Sequence, residues 1–178
     1  MTSEGERGGP VAVLDAAYGD TVAAGGCVLI SEFSSSEPLA THQVRLPMQS
    51  AEYEPGAFYK RELPVLLALL DAVSTPVATI VIDGYVHLDG AGRPGLGARL
   101  AAALDRRVAV IGVAKTPFRG DDWSRPVCRG ESRQPLRVTA IGVDLDTASR
   151  WVAEMHGAHR IPVMCRLADR LARDALAG

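Results

Sequence analysis

A chain of 178 residues with 47% hydrophobic and 22% charged residues has the make-up of one folded domain, which excludes a disordered or fibrous protein. A net charge of −2 excludes an overall electrostatic pull toward nucleic acid, and no apolar run approaches the ~20 residues of a membrane span. Three cysteines, Cys27, Cys128 and Cys165, none in a C-x-x-C pair, argue against a disulfide framework or zinc site and for small buried side chains.

Residues 1–10 are polar and Gly-rich without the basic and apolar regions of a signal peptide, so they read as a flexible lead-in, and the cytoplasm is the expected location. Val11-Ala-Val-Leu-Asp15 predicts a buried strand ending in a carboxylate, Gly25–Ile30 a second strand, and the alternating His42–Leu46 a half-exposed third. Turn-rich connections between them predict an antiparallel meander. Leu63, Leu66, Leu67 and Leu70 recur at helical spacing within 58–73, and Pro64 fits only near that helix's start. Glu62 is therefore expected at or just before the helix N-terminus.

The β-branched run Val77–Ile82 has the composition of a central strand buried on both faces, and it ends in Asp83-Gly84. A helix is predicted over 93–107 with Pro94 near its first position, followed by a buried strand over 108–113 and then Ala114-Lys115. This is a βαβ unit. The polar segment 116–134 predicts a loop around a short strand near Pro126–Cys128, with a further strand over 135–139. Two helices close the chain, 145 to about 156, capped by Asp144, and 164–176. No repeat or linker divides the chain, so residues 1–178 read as a single domain.

A three-stranded meander, a helix and a βαβ unit give the order of a ribonuclease-H-like α/β fold, a mixed β-sheet flanked by helices. If strands one and four are adjacent, Asp15, Glu62 and Asp83 meet at one end of that sheet. Clustered carboxylates repel one another unless a cation neutralises them, and oxygen-only ligands suit Mg²⁺ or Mn²⁺. Taken singly, each acid is more often a turn, cap or helix-dipole residue than a metal ligand. Eight basic residues between Arg106 and Arg137 form a local basic stretch that could meet phosphates or simply be a solvated face.

Several short motifs point further. Leu14-Asp-Ala-Ala-Tyr18, Tyr53-Glu-Pro-Gly-Ala-Phe-Tyr-Lys-Arg-Glu62, Val81-Ile-Asp-Gly84, Ile111-Gly-Val-Ala-Lys115, Arg160-Ile-Pro162 and Arg166-Leu-Ala-Asp-Arg-Leu171 resemble, in this order and spacing, the motifs of the endonuclease V family. The resemblance spans residues 11 to 172. It implies a Mg²⁺-dependent endonuclease of the DNA-repair class, cutting a strand 3′ to inosine, one bond beyond the neighbouring nucleotide. By position it makes Asp15, Glu62 and Asp83 the metal-site acids and Lys115 the catalytic lysine near the scissile phosphate. Lysine is scarce here: only Lys60 and Lys115 occur, against seventeen arginines. The resemblance also assigns Tyr53 and Pro55 to a wedge that enters the duplex. Gly56, Gly84 and Gly112 lie in segments whose backbone lines the base pocket. The partners implied are DNA or RNA containing inosine.

Two departures stand out. The family's His, in a Gly-His step after a late strand and close to the metal, falls here on Ile141 or Gly142, with His87 the histidine nearest the acids in sequence. The wedge reads Glu52-Tyr-Glu-Pro55, whose two carboxylates would repel phosphates. A nuclease without inosine preference, or a nucleic-acid-binding protein of the same fold with weak or no catalysis, therefore stand beside the first reading.

Overall fold

The computed structural model describes residues 9–48, 59–118 and 120–178. Among these residues seven strands, β1 (Val11–Tyr18), β2 (Val22–Ile30), β3 (Ala40–Pro47), β4 (Thr79–Asp83), β5 (Ala109–Ala114), β6 (Arg125–Val127) and β7 (Leu136–Ile141), form one sheet in the order β3-β2-β1-β4-β5-β7-β6. Strands β1 to β3 are the expected antiparallel meander, β1, β4 and β5 run parallel, and β7 returns antiparallel to β5. Among the described residues four helices flank the sheet: α1 (Tyr59–Ala72), α2 (Leu96–Ala103), α3 (Leu145–Glu154) and α4 (Val163–Ala177).

Period-two alternation along the strands splits the core into two layers. Val11, Val13, Val81, Ile111 and Val138 pack with Ala148 and Val152 of α3 and with Met164 and Ala168 of α4. Ala12, Leu14, Ile80, Ile82 and Val110 face the other way, toward Val65, Leu66 and Leu69 of α1 and Leu100 of α2. A central strand covered on both faces leaves no side chain in water, and Thr79–Ile82 contains no exposed residue.

Three boundaries differ from the sequence reading in ways that matter. Strand β1 does not end at Asp15. Its parallel pairing with β4 stops at Leu14–Ile82, while its antiparallel pairing with β2 continues to Tyr18. Helix α2 is shorter than 93–107. Arg93 is held outside it by a turn in which its N–H and that of Ala91 donate to Asp89 Oδ1, and Pro94 bridges to His87. At the other end, Asp105 and Arg106 have φ of 55° and 56°, a left-handed conformation that stops an α-helix. Finally, Glu62 lies within the first turn of α1 and Pro64 inside the helix, one turn further along than expected. Helix α3 starts as read, with the Asp144 side chain accepting from Thr147 N–H at 2.8 Å.

Candidate metal and phosphate site

The end of the β1–β4 pairing creates the site. Past Leu14 and Ile82 the two parallel strands part, and Asp15 and Asp83 are the next residue on each. Divergence of neighbouring strands at their carboxyl ends opens a crevice of the kind that holds ligands in α/β sheets. Two recesses flank the pair. One is lined by Asp15, Asp83, Lys115, Ile161, Pro162 and Cys165, and the other by Asp15, Asp83, Glu62, Leu66 and Leu96. Asp15 and Asp83 border both, so they form the partition between them. The structure thus brings together all four residues read as catalytic.

Electrostatics tie the acids to one another. Burial first, then the charge of Asp83, push Asp15 up to about 7, while the Ala16 N–H, donating to Asp15 Oδ1 at 2.8 Å, works in the opposite direction. Burial and the charges of Asp83 and Asp15 likewise push Glu62 up to about 7. The Tyr18 hydroxyl is buried beside Glu62. Burial, then the Glu62 and Asp15 charges, hold it far above the usual tyrosine range, and its contact with Glu62 falls short of a well-formed hydrogen bond. Asp83 is engaged on its other side, where Lys115 Nζ lies 3.3 Å from Oδ2. Burial works to lower the Lys115 ammonium, but the charges of Asp83, Asp15 and Asp169 together hold it above its ordinary value.

Among the described residues, no three His, Cys, Asp or Glu side chains are drawn together closely enough to form a ready-made metal group. The donor chemistry nevertheless suits a hard dication. In the recess shared by Asp15, Glu62 and Asp83, the titratable side chains are carboxylates alone, and their mutual repulsion is what a bound cation would relieve.

Asp169 is the neighbour that the sequence reading quoted in a motif but did not place at the site. It lies on α4, and its charge raises both Asp15 and Lys115. A glycine puts it there. Asp15 pairs across the sheet with Gly26, and a Cβ on Gly26 would lie 2.4 Å from the Ala168 carbonyl and 2.7 Å from the Ala172 nitrogen. Only glycine lets α4 lie this close to the sheet. The available signal was Asp169 itself, a carboxylate beside Ala168 and spaced like Cys165 and Ala172 on a helix whose buried residues include Ala168 and Ala172.

The glycines of the candidate base pocket differ from each other. Gly84, with φ of 118°, has open space where a side chain would project. Gly112 faces inward, and a Cβ there would strike the Gly84 carbonyl at 2.5 Å and the Thr139 hydroxyl at 2.7 Å. It therefore allows the Asp83–Val86 segment to settle over β5. Tyr53, Pro55 and Gly56, with Glu52 and Glu54, lie outside the described residues.

The expectation of a gap near the metal at Ile141 or Gly142 is corrected by the sheet register. Lys115 follows the Ala114–Arg137 pair, whereas Ile141 pairs with Val110, four residues back along β5 and about 13 Å away. That position lies at the opposite end of the strand from the acids. His87 does not fill in either. It lines neither recess, and its carbonyl accepts from Trp123 Nε1 at 3.0 Å. The basic stretch 106–137 also resolves into separate roles. Arg107 pairs with Asp105 and Arg125 with Asp146, and Arg129 is buried among backbone carbonyls.

Comparison with known proteins shows the family and the fold. The Endonuclease V family profile matches residues 2–143. An endonuclease V of Streptomyces avermitilis is 34% identical over 92% of this chain and 71% of its own length. A crystal structure of the endonuclease V from that organism superposes with a TM-score of 0.83 at 30% identity, covering 95% of this chain and 82% of the other. At 18% identity and a TM-score of 0.76, Ciona intestinalis endonuclease V, crystallised with a 24mer DNA containing an inosine followed by a ribo-adenosine, shares the fold over 95% of this chain and 86% of its own. With a ribonuclease-H-like mixed sheet, a carboxylate crevice at the ends of β1 and β4, and a sequence matched along most of its length, this chain belongs to the endonuclease V family.

Proposed function

We propose that this chain is a Mg²⁺- or Mn²⁺-dependent endonuclease that hydrolyses a phosphodiester bond 3′ to inosine in DNA or RNA. Family membership supports the nuclease. The observation that carries the metal-dependent reading is the shared recess of Asp15, Glu62 and Asp83, in which each of the first two is shifted to about 7 by burial and by its acidic neighbours. Such a group would hold a hard dication, with Asp169 close behind Asp15. When bound, the ion would supply Lewis-acid stabilisation of phosphate charge and an activated water. The chain's own residues orient the strand. Lys115, held by Asp83, presents a compact ammonium to the scissile phosphate, and the open face of Gly84 admits a base against the backbone. Tyr53, Pro55 and Gly56 take the wedge and base-contact roles that their motif implies.

DNA or RNA is the partner in this reading, and the cytoplasm its location. Among the described residues no helix is long and apolar enough to cross a membrane. Glu52 and Glu54 in the wedge motif favour one alternative, a nuclease of the same mechanism with reduced inosine preference. End-labelled strands with inosine or adenine at one position, incubated with Mg²⁺, Mn²⁺ or EDTA, decide between them. Cutting confined to the inosine strand and abolished by EDTA supports the proposal. Equal cutting of both strands supports the alternative, and binding without cutting in either metal overturns both.

A further inference from the structure

The β5–β7 ladder ends at Ala114–Arg137, and Pro135, which has no N–H to donate, cannot extend it. The backbone carbonyls of Lys115, Gln134 and Pro135 are thereby left at the open end of two strands. One guanidinium gathers all three. Arg160 Nη2 donates to the Lys115 carbonyl and, at 3.2 Å, to the Pro135 carbonyl, while Nε donates to the Gln134 carbonyl at 2.9 Å. The planar fork of arginine makes this possible, since its donors diverge at fixed angles where an ammonium offers a single point.

Arg160 belongs to the segment joining α3 to α4, and that segment is anchored from behind. Arg129, 4% exposed, donates through Nη1 to the carbonyls of Val152, Ala153 and Met155, through Nη2 to Gly157, and through Nε to His159. It thereby serves the last carbonyls of α3, of which Val152 also accepts from the Met155 N–H at 3.3 Å. Ile161 and Pro162, immediately after Arg160, line the recess that contains Lys115 and Asp83.

We propose that Arg160 is a positioning residue for Lys115: its grip on the Lys115 carbonyl fixes the point from which the ammonium reaches Asp83, with Arg129 as the rigid mount for the segment that carries Arg160. The catalytic consequence rests on the function proposed above for Lys115. The positional consequence does not. Lys115 is the residue after the last paired position of β5, and it is exposed; the Tyr85 hydroxyl holds the chain from Thr116 onward, donating to its carbonyl at 3.0 Å, so the clip is what fixes the Lys115 carbonyl itself. Displacements of about 1 Å in a positioned group commonly reduce turnover by ~100-fold.

Lys60 and Lys115 are the only lysines, so protein labelled with ¹³Cε-lysine gives two side-chain signals. Arg160→Gln and Arg160→Lys are compared with wild type. The Lys115 signal should shift toward the value of a free lysine and narrow in both variants, with Lys60 unchanged and the folded far-UV spectrum retained. An unchanged Lys115 signal in a folded variant overturns the proposal whatever the protein's activity. On inosine-containing strands, kcat should fall by ~10–100-fold with KM within about twofold. In a Lys115→Ala background the Arg160 substitution should then produce no further loss. A full additional loss in that background, or a rise in KM alone, shows that Arg160 acts elsewhere. Should no variant, nor wild type, cut any strand, the nuclease reading fails while the lysine signals still decide the clip.

Discussion

The ammonium of Lys115 lies 3.3 Å from Oδ2 of Asp83, across two adjacent parallel strands that end together: Asp83 pairs with Val113, and Lys115 follows two residues later. The pair is half-exposed, so its net contribution to stability is small. Its value is positional, because it aims a cation at the partition between two recesses. Lys115→Ala is expected to reduce single-turnover cleavage by ~100-fold or more. Lys115→Arg should fail to restore it, because a broad planar guanidinium does not replace a compact ammonium. Rapid-quench measurement at saturating enzyme checks both.

Cation binding should appear as stabilisation of the folded state. With Asp15, Glu62 and Asp83 sharing a recess, a millimolar excess of Mg²⁺ or Mn²⁺ should raise Tm over an EDTA control at pH 7.5, by an amount set by the ratio of free metal to Kd. Asp15→Asn should remove most of that rise. It should also raise the metal-free Tm, since it deletes a repelled carboxylate. Differential scanning fluorimetry across a metal series distinguishes these effects from non-specific salt screening, which Na⁺ would reproduce.

The pH dependence follows from the sign of the shifts. Asp15 and Glu62 titrate near 7 in the fold, against 3.8 and 4.5 ordinarily. Between those values the folded protein holds more protons than the unfolded chain. Their contribution to stability is therefore fully present below about pH 4 and lost as pH rises to about 7. In EDTA, the Tm difference between wild type and an Asp15→Asn, Glu62→Gln double variant should swing against wild type as pH climbs through that window. A difference independent of pH from 4 to 8 would show that the two acids are not coupled as described.

Gly26→Ala tests how α4 is placed. The added methyl would meet the Ala168 carbonyl at 2.4 Å, a backbone contact that cannot be relieved by rotating a side chain. A loss of about 1–3 kcal/mol is expected on chemical denaturation. The displaced helix would carry Asp169 away from Asp15, so metal-induced stabilisation should weaken as well. Full retention of both would mean that helix and strand have slack that the packing does not indicate.

Much of this architecture is legible in the residues themselves. Uncharged runs rich in β-branched residues at Val77–Ile82 and 108–113 mark strands buried on both sides, and the alternation of His42–Leu46 marks a half-exposed strand. Asp15 and Asp83 are legible as acids that terminate apolar runs. The shorter α2 is not, because a local turn around Asp89 and the left-handed pair Asp105–Arg106 override leucine periodicity. Nor is the closeness of Asp169 to Asp15. It depends on a glycine 143 positions away in sequence letting a helix approach a strand, a tertiary relation with no local signature. The histidine comparison misled for a related reason. Motif order places Ile141 near the site, but the antiparallel register of β7 carries it to the far end of β5.

The most direct test of the central claim is a single-turnover cleavage assay on an end-labelled inosine-containing strand, comparing wild type with Asp15→Asn in Mg²⁺. One cut 3′ to inosine, absent in EDTA and slowed by ~1,000-fold or more in the variant, is the predicted result. Cleavage by Asp15→Asn at the wild-type rate, or by wild type in EDTA, would contradict it.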